Sequence, residues 1–179
     1  MYDSYDRDIF QIPGQDGKKR ISIIIDTMLR FPNVYLDFYE KDDVWTLYWR
    51  AGKPAMELFS IAKKLNLPEG TVWDDVVARE DFICEALKDT SVCSLTIDTE
   101  TSGLLWNLCR DGLPGDSFGG FDGHDYIVKI ADLNKEYTCW CYLPEEWKLL
   151  ADIINKCVEY AGLDKDTFGC MVYESKADA

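Results

Sequence analysis

Apolar and polar positions alternate in short runs along this chain, and the runs come in pairs separated by turn residues. Val34, Leu36 and Phe38 alternate with Tyr35, Asp37 and Tyr39. Glu40-Lys41-Asp42-Asp43 supplies a polar turn, and Trp45, Leu47 and Trp49 then alternate with Thr46, Tyr48 and Arg50. A period of two on either side of a polar turn predicts an antiparallel hairpin. Tyr126 to Asp132, a turn at Leu133-Asn134-Lys135-Glu136, and Tyr137 to Tyr142 predict a second one. Cys93, Leu95 and Ile97 alternate with Ser94, Thr96 and Asp98 as a further strand, after which Thr99 to Gly103 reads as a turn leading into Leu104 to Cys109.

Helical spacing takes over elsewhere. Pro54 opens a segment over 54–66 with Leu58, Phe59, Ala62 and Leu65 on one side. Leu67-Pro68-Glu69-Gly70 breaks it, and Thr71 can cap a second helix with Trp73, Val76, Val77, Ile83 and Leu87 as its stripe. Pro144 opens the clearest helix, with Trp147, Leu150, Ile153, Ile154, Cys157, Val158 and Ala161 inward and Gly162 placed to end it. Over 18–31, Ile21, Ile24, Ile25, Met28 and Leu29 ahead of Pro32 favour a helix, while the β-branched run Ile23-Ile24-Ile25 leaves a strand open. The whole predicts an α+β single domain over 1–179, with antiparallel β-hairpins packed against helices. A hairpin followed by a proline-led helix occurs at 34–66 and again at 126–161. That is either a weak ββα duplication or two ordinary hairpins each packed by a helix, and the poor identity between the copies suits the second reading.

Composition supports a folded chain. With 47% hydrophobic and 13% aromatic residues, the sequence is too apolar for disorder. No apolar run approaches the roughly 18 to 20 residues of a membrane-spanning helix. Met1-Tyr2-Asp3-Ser4-Tyr5-Asp6 lacks the basic and apolar regions of a signal peptide, so a cytoplasmic, reducing compartment is expected. The seven cysteines contain no C-x-x-C pair and the only histidine is His124, so no structural zinc and no cofactor are expected. Cys93, Cys139, Cys141 and Cys157 instead sit in apolar patterns, as small buried hydrophobes do.

Charge changes the picture most. The chain carries 33 acidic against 19 basic residues, a net charge of -14. Such a surface repels nucleic-acid phosphates and anionic membranes and is steered towards basic protein surfaces. Between 98 and 132 the acids Asp98, Glu100, Asp111, Asp116, Asp122, Asp125 and Asp132 face only Arg110 and Lys129.

Residues 110–125 hold five of the twelve glycines and four aspartates, which predicts an irregular loop with few core contacts. The aspartates do not follow calcium-loop spacing. Gly115-Asp116-Ser117-Phe118-Gly119 satisfies the G-x-S-x-G pattern of a nucleophile elbow, but Pro114 and the following glycines deny the strand before it and the helix after it that the elbow requires. Ile97-Asp98-Thr99-Glu100-Thr101-Ser102-Gly103-Leu104 resembles the first motif of the DEDD exonuclease family. That resemblance covers about eight residues and implies that Asp98 and Glu100 hold metal ions for phosphodiester cleavage. The family's two further acidic motifs have no counterpart at the right spacing in the rest of the chain, and no basic cluster beyond Lys18-Lys19-Arg20 is present to hold a polyanion.

No catalytic or metal-binding set is therefore assigned from the sequence. The expected partner-binding residues are Asp98, Glu100, Asp111, Asp116, Phe118, Phe121, Asp122 and Asp125, the aromatics as anchors and the acids as steering groups. The expected function is that of a small acidic inhibitor occupying a basic surface, one that binds nucleic acid on another protein. Phage anti-CRISPR proteins and immunity proteins against nuclease toxins are similar in size and charge, a similarity of class and not of motif. The rival expectations are a metal-dependent nuclease or other hydrolase using Asp98 and Glu100, and a regulatory domain holding a small ligand in an aromatic pocket.

Overall fold

The computed structural model describes residues 9–27, 31–120 and 123–173. Its centre is a six-strand antiparallel sheet of β1 (Lys18–Asp26), β2 (Val34–Lys41), β3 (Val44–Ala51), β4 (Cys93–Thr96), β5 (Asp125–Ile130) and β6 (Lys135–Trp140), in the order β4-β3-β2-β1-β5-β6. β7 (Tyr142–Pro144) and β8 (Met171–Tyr173) form a separate parallel pair. The helices are α1 (Ala55–Lys64), α2 (Trp73–Val77), α3 (Glu80–Leu87), α4 (Thr99–Asp111), α5 (Lys148–Tyr160) and α6 (Lys165–Phe168). This is the expected α+β class. No helix among the described residues is long and apolar enough to cross a membrane.

Both predicted hairpins form, β2 with β3 and β5 with β6. The first turns at Asp42 and Asp43, whose φ angles of 52° and 64° put both in the left-handed region, the conformation by which a two-residue hairpin loop matches the right-handed twist of its strands. The helix favoured over 18–31 is instead strand β1; Met28 and Leu29 lie outside the described residues. Period two wins there because Ile21, Ile23 and Ile25 are fully buried on one face while Ser22 and Ile24 take the other. A bulge between Lys19 and Ile21 interrupts the register with β2 and turns Arg20 to the same side as Ile21.

Three further boundaries differ from the sequence reading. Thr99 to Gly103 is not a turn leading into Leu104 to Cys109; the whole stretch belongs to helix α4, capped by Asp98, with Thr101, Leu105, Leu108 and Cys109 as its buried stripe. The helix expected after Thr71 is two, α2 and α3. Thr71 does not cap it: its hydroxyl donates to the Pro68 carbonyl, and the buried positions are Val76, Phe82 and Ala86. Pro144 leads first into a 3-10 turn and then into α5, which ends as predicted. Gly162 takes φ 64°, and the Gly162 and Leu163 amides donate to the Glu159 and Val158 carbonyls.

The sheet has a core on each side. α4 and α5 cover the face formed by Ile21, Ile23, Leu36, Phe38, Trp45, Leu47 and Val128. α1, α2 and α3, with Phe10 and Ile12, cover part of the other face over Ile24, Tyr35 and Tyr48. The two hairpin-helix units thus flank β1 and place their helices on opposite faces, the relation a twofold axis along β1 would generate.

Candidate functional site

Asp98 sits where β4 ends and α4 begins. Its Oδ1 accepts from the Thr101 amide at 2.8 Å, and its Oδ2 accepts from the Thr101 hydroxyl at 3.0 Å and from the Tyr160 hydroxyl. The Thr101 amide bond is the main reason its carboxyl is held below the usual range. This carboxylate caps a helix and ties α4 to α5. Glu100 is exposed in the first turn of α4. Among the described residues no three His, Cys, Asp or Glu side chains gather where a metal ion could be held.

The stretch expected as an irregular loop is anchored at several points. Asp111 is the last residue of α4 and pairs with Arg110 at 2.7 Å. Leu113 is buried, and its amide donates to the Tyr137 hydroxyl at 3.3 Å. Ser117 Oγ accepts from the Thr138 amide at 2.9 Å, the Phe118 amide donates to the Thr138 carbonyl at 2.9 Å, and the half-buried Phe118 ring meets Trp147 edge-on at 5.1 Å. Asp116 is exposed. Asp125 opens β5, and burial, then the neighbouring Asp26, pushes its carboxyl up. Phe121 and Asp122 lie outside the described residues. His124 is buried with Nε2 2.8 Å from the Tyr126 hydroxyl, and among the described residues no helix begins directly after Ser117, so the nucleophile-elbow arrangement is not assembled.

These contacts reverse the expectation of a loop with few core contacts. Replacing residues 113–120 by a short Gly-Ser linker should lower stability by about 2 kcal/mol or more, since it exposes the Leu113 site and strips Phe118 from Trp147. Urea denaturation checks this; an unchanged midpoint would show that the contacts contribute nothing.

The structure does not gather the expected acids into one patch. α4 is roughly 20 Å long and separates Asp98 and Glu100 from Asp111 and Asp116. It brings other acids to Asp98 instead. The Ile97 amide donates to the Trp45 carbonyl at 2.9 Å, which sets Asp98 beside the Asp42-Asp43 turn, and the Tyr160 bond brings up the end of α5, from which the Lys156 charge also lowers the Asp98 carboxyl. Asp42, Asp43, Glu100 and Glu159 make no salt bridge among the described residues. Many cations are spent within the fold: Lys18 and Arg20 on Asp132, Lys19 on Asp37, Lys41 on Asp16 and Lys129 on Glu136.

Sequence reasoning also missed a cavity of about 420 Å³ on the partly uncovered face of the sheet, lined by Ile12, Lys19, Ser22, Ile24, Asp37 and Lys129 among others. Asp37, on its wall, is nearly buried and accepts from Ser22 Oγ at 2.5 Å and from Lys19 Nζ at 2.6 Å. The only signal was an acid on the polar side of a hairpin strand. No protein-family model matches this chain, and comparison with curated proteins and with solved structures finds no match.

Proposed function

We propose that this chain is a small acidic partner-binding inhibitor that occupies a basic, nucleic-acid-binding surface of another protein, such as a CRISPR nuclease or a nuclease toxin. The observation that carries the reading is the group of acids at one end of the sheet, Asp42, Asp43, Asp98 and Glu100, on a chain of net charge -14. Asp42 and Asp43 stand on a tight turn and Asp98 is fixed by capping, so their charge is presented with little conformational freedom left to lose on binding. Fixed carboxylates facing a groove built for phosphates would steer association and exclude the nucleic acid.

The test begins with isolation of the partner from the native host and measurement of its affinity for the purified chain against salt. Binding should weaken at least about tenfold between low and physiological ionic strength, where exposed charges are screened over about 8 Å. Replacing Asp42, Asp43 and Glu100 together by their amides should weaken it by a similar factor and slow association. Affinity that stays flat with salt would sink the reading. A divalent-metal-dependent nuclease activity lost on Asp98→Asn with Glu100→Gln would replace it with the exonuclease alternative.

A further inference from the structure

The six-strand sheet ends differently on its two sides. At β6, the Cys141 amide donates to the His124 carbonyl at 3.0 Å, in register with Cys139 opposite Tyr126. By the alternation of antiparallel ladders, Thr138 then directs its N–H and C=O away from β5. Both are used: the N–H donates to Ser117 Oγ and the C=O accepts from the Phe118 amide. That edge is closed at its centre.

β4 is open. The Ile97 amide donates to the Trp45 carbonyl, in register with Leu95 opposite Leu47 and Cys93 opposite Trp49. The same alternation makes Ser94 and Thr96 direct their N–H and C=O away from β3. No described residue meets them, and all four residues of β4 are exposed. Edge strands are ordinarily blunted by a charge, a proline or a bulge. Thr90 to Ile97 carries no charge and no proline, and β4 pairs with β3 without a bulge. The uncharged stretch has Asp89 at one end and Asp98 and Glu100 at the other.

We propose that the β4 edge takes up an extended segment of basic polypeptide as a seventh strand of the sheet. Ser94 and Thr96 supply the main-chain bonds, Cys93 and Leu95 pack an apolar side chain of the incoming segment, and its Lys or Arg ends meet Asp89 and the Asp98-Glu100 pair. The basic character of the segment rests on the reading given under Proposed function. A second copy of this chain could offer the same main-chain bonds. Antiparallel self-pairing, however, would set Asp89 of each copy near Asp98 of the other, on two chains each of charge -14, and like charges across a strand pair destabilise it.

The probe is a short synthetic peptide of alternating valine and threonine with an Arg-Lys pair at each end, titrated into the full chain at low salt and followed by anisotropy and amide exchange. The peptide should bind and slow exchange of the Ser94 and Thr96 amides about tenfold, and a counterpart with Glu ends should bind at least about tenfold more weakly. Ser94→Pro removes an outward N–H without touching the β3 ladder, and should abolish binding while circular dichroism and melting stay as they were, whereas Ser94→Ala should bind normally. Should the proline variant fail to fold, Leu95→Lys places a cation on the strand and should have the same effect on binding. No binding, protection appearing elsewhere, or equal binding of both peptides overturns the proposal. Salt-sensitive binding indifferent to Ser94→Pro overturns the edge assignment and leaves the acidic-binder reading standing. A dimer of the free chain that Ser94→Pro dissociates would instead assign the edge to a second copy.

Discussion

Trp45→Ala should lower the free energy of unfolding by about 3–5 kcal/mol, the range for deleting a fully buried indole. Trp45 has no exposed surface, and its ring meets Trp106 of α4 edge-on at 5.2 Å. It therefore joins the sheet to the helix that carries Asp98, and its carbonyl receives the Ile97 amide that aligns β4. Truncation opens a cavity where α4 rests on β3, and the neighbours can collapse into it only by moving the helix. Against a typical domain stability of about 5–15 kcal/mol the loss is large. Trp45→Phe should cost much less, because the indole N–H it removes has no acceptor among the described residues. Urea denaturation of the three proteins decides the matter; a loss below about 2 kcal/mol for the alanine variant would mean that α4 settles freely onto the sheet.

The parts of the fold legible in the sequence are those with one buried and one polar face. The 34–50 hairpin and the helix after Pro144 both announce their period because solvent meets one side of each. β1 was ambiguous for the opposite reason. Ile21, Ile23 and Ile25 enter one core and Ile24 packs against the other, so the strand reads as a near-continuous apolar run that also satisfies helical spacing. α4 was hidden by Thr99, Thr101, Ser102 and Gly103, weak helix formers that resemble a turn. The signals that could have found it were an Asp three residues before Thr101 and the spacing of Thr101, Leu105, Leu108 and Cys109.

The candidate surface was less legible, because charge read along a chain ignores what the topology folds together. Asp132 belonged to the acidic stretch in sequence but is turned onto Lys18 and Arg20. Phe118 looked like a free aromatic anchor and is held against Trp147. The acids that do gather, Asp42 and Asp43 with Asp98 and Glu100, come from segments joined only by the long-range pairing of β3 with β4. Hydrophobic periodicity identifies such strands without saying which of them will be neighbours. The open edge of β4 has the same origin: its outward amides exist only once β3 has taken the other side.

Arg20→Met should cost about 3 kcal/mol at neutral pH, because it leaves carboxylates half-removed from water without their partner. The β1 bulge aims Arg20 so that Nη2 meets Glu40 Oε2 and Nη1 meets Asp132 Oδ2, each at 2.8 Å, while the guanidinium lies 5.2 Å over the Trp106 ring. The Arg20 and Glu40 side chains are only 18% and 12% exposed, so solvent screens their pairing little. The Arg20 bond holds the Glu40 carboxyl below its usual range. At Asp132 burial pushes upward, but bonds from Lys18 and Arg20 outweigh it and the net shift is downward. Carboxyls depressed in the folded state stabilise it above their unfolded pKa, near 4, and that contribution is lost as pH falls through the folded values. The native chain should therefore lose stability on acidification. The Arg20→Met variant, whose Glu40 loses the main cause of its depression and keeps only the Asp43 amide and Lys18, should lose less, so the gap between them narrows from pH 7 towards about pH 3. Adding Glu40→Gln and Asp132→Asn to Arg20→Met should recover much of the deficit, since the only charge left without its partner is Lys18, which is exposed and stays hydrated. Urea denaturation at both pH values checks each step. A deficit equal at the two would show that Arg20 acts through its packing on Trp106 and not through its charge.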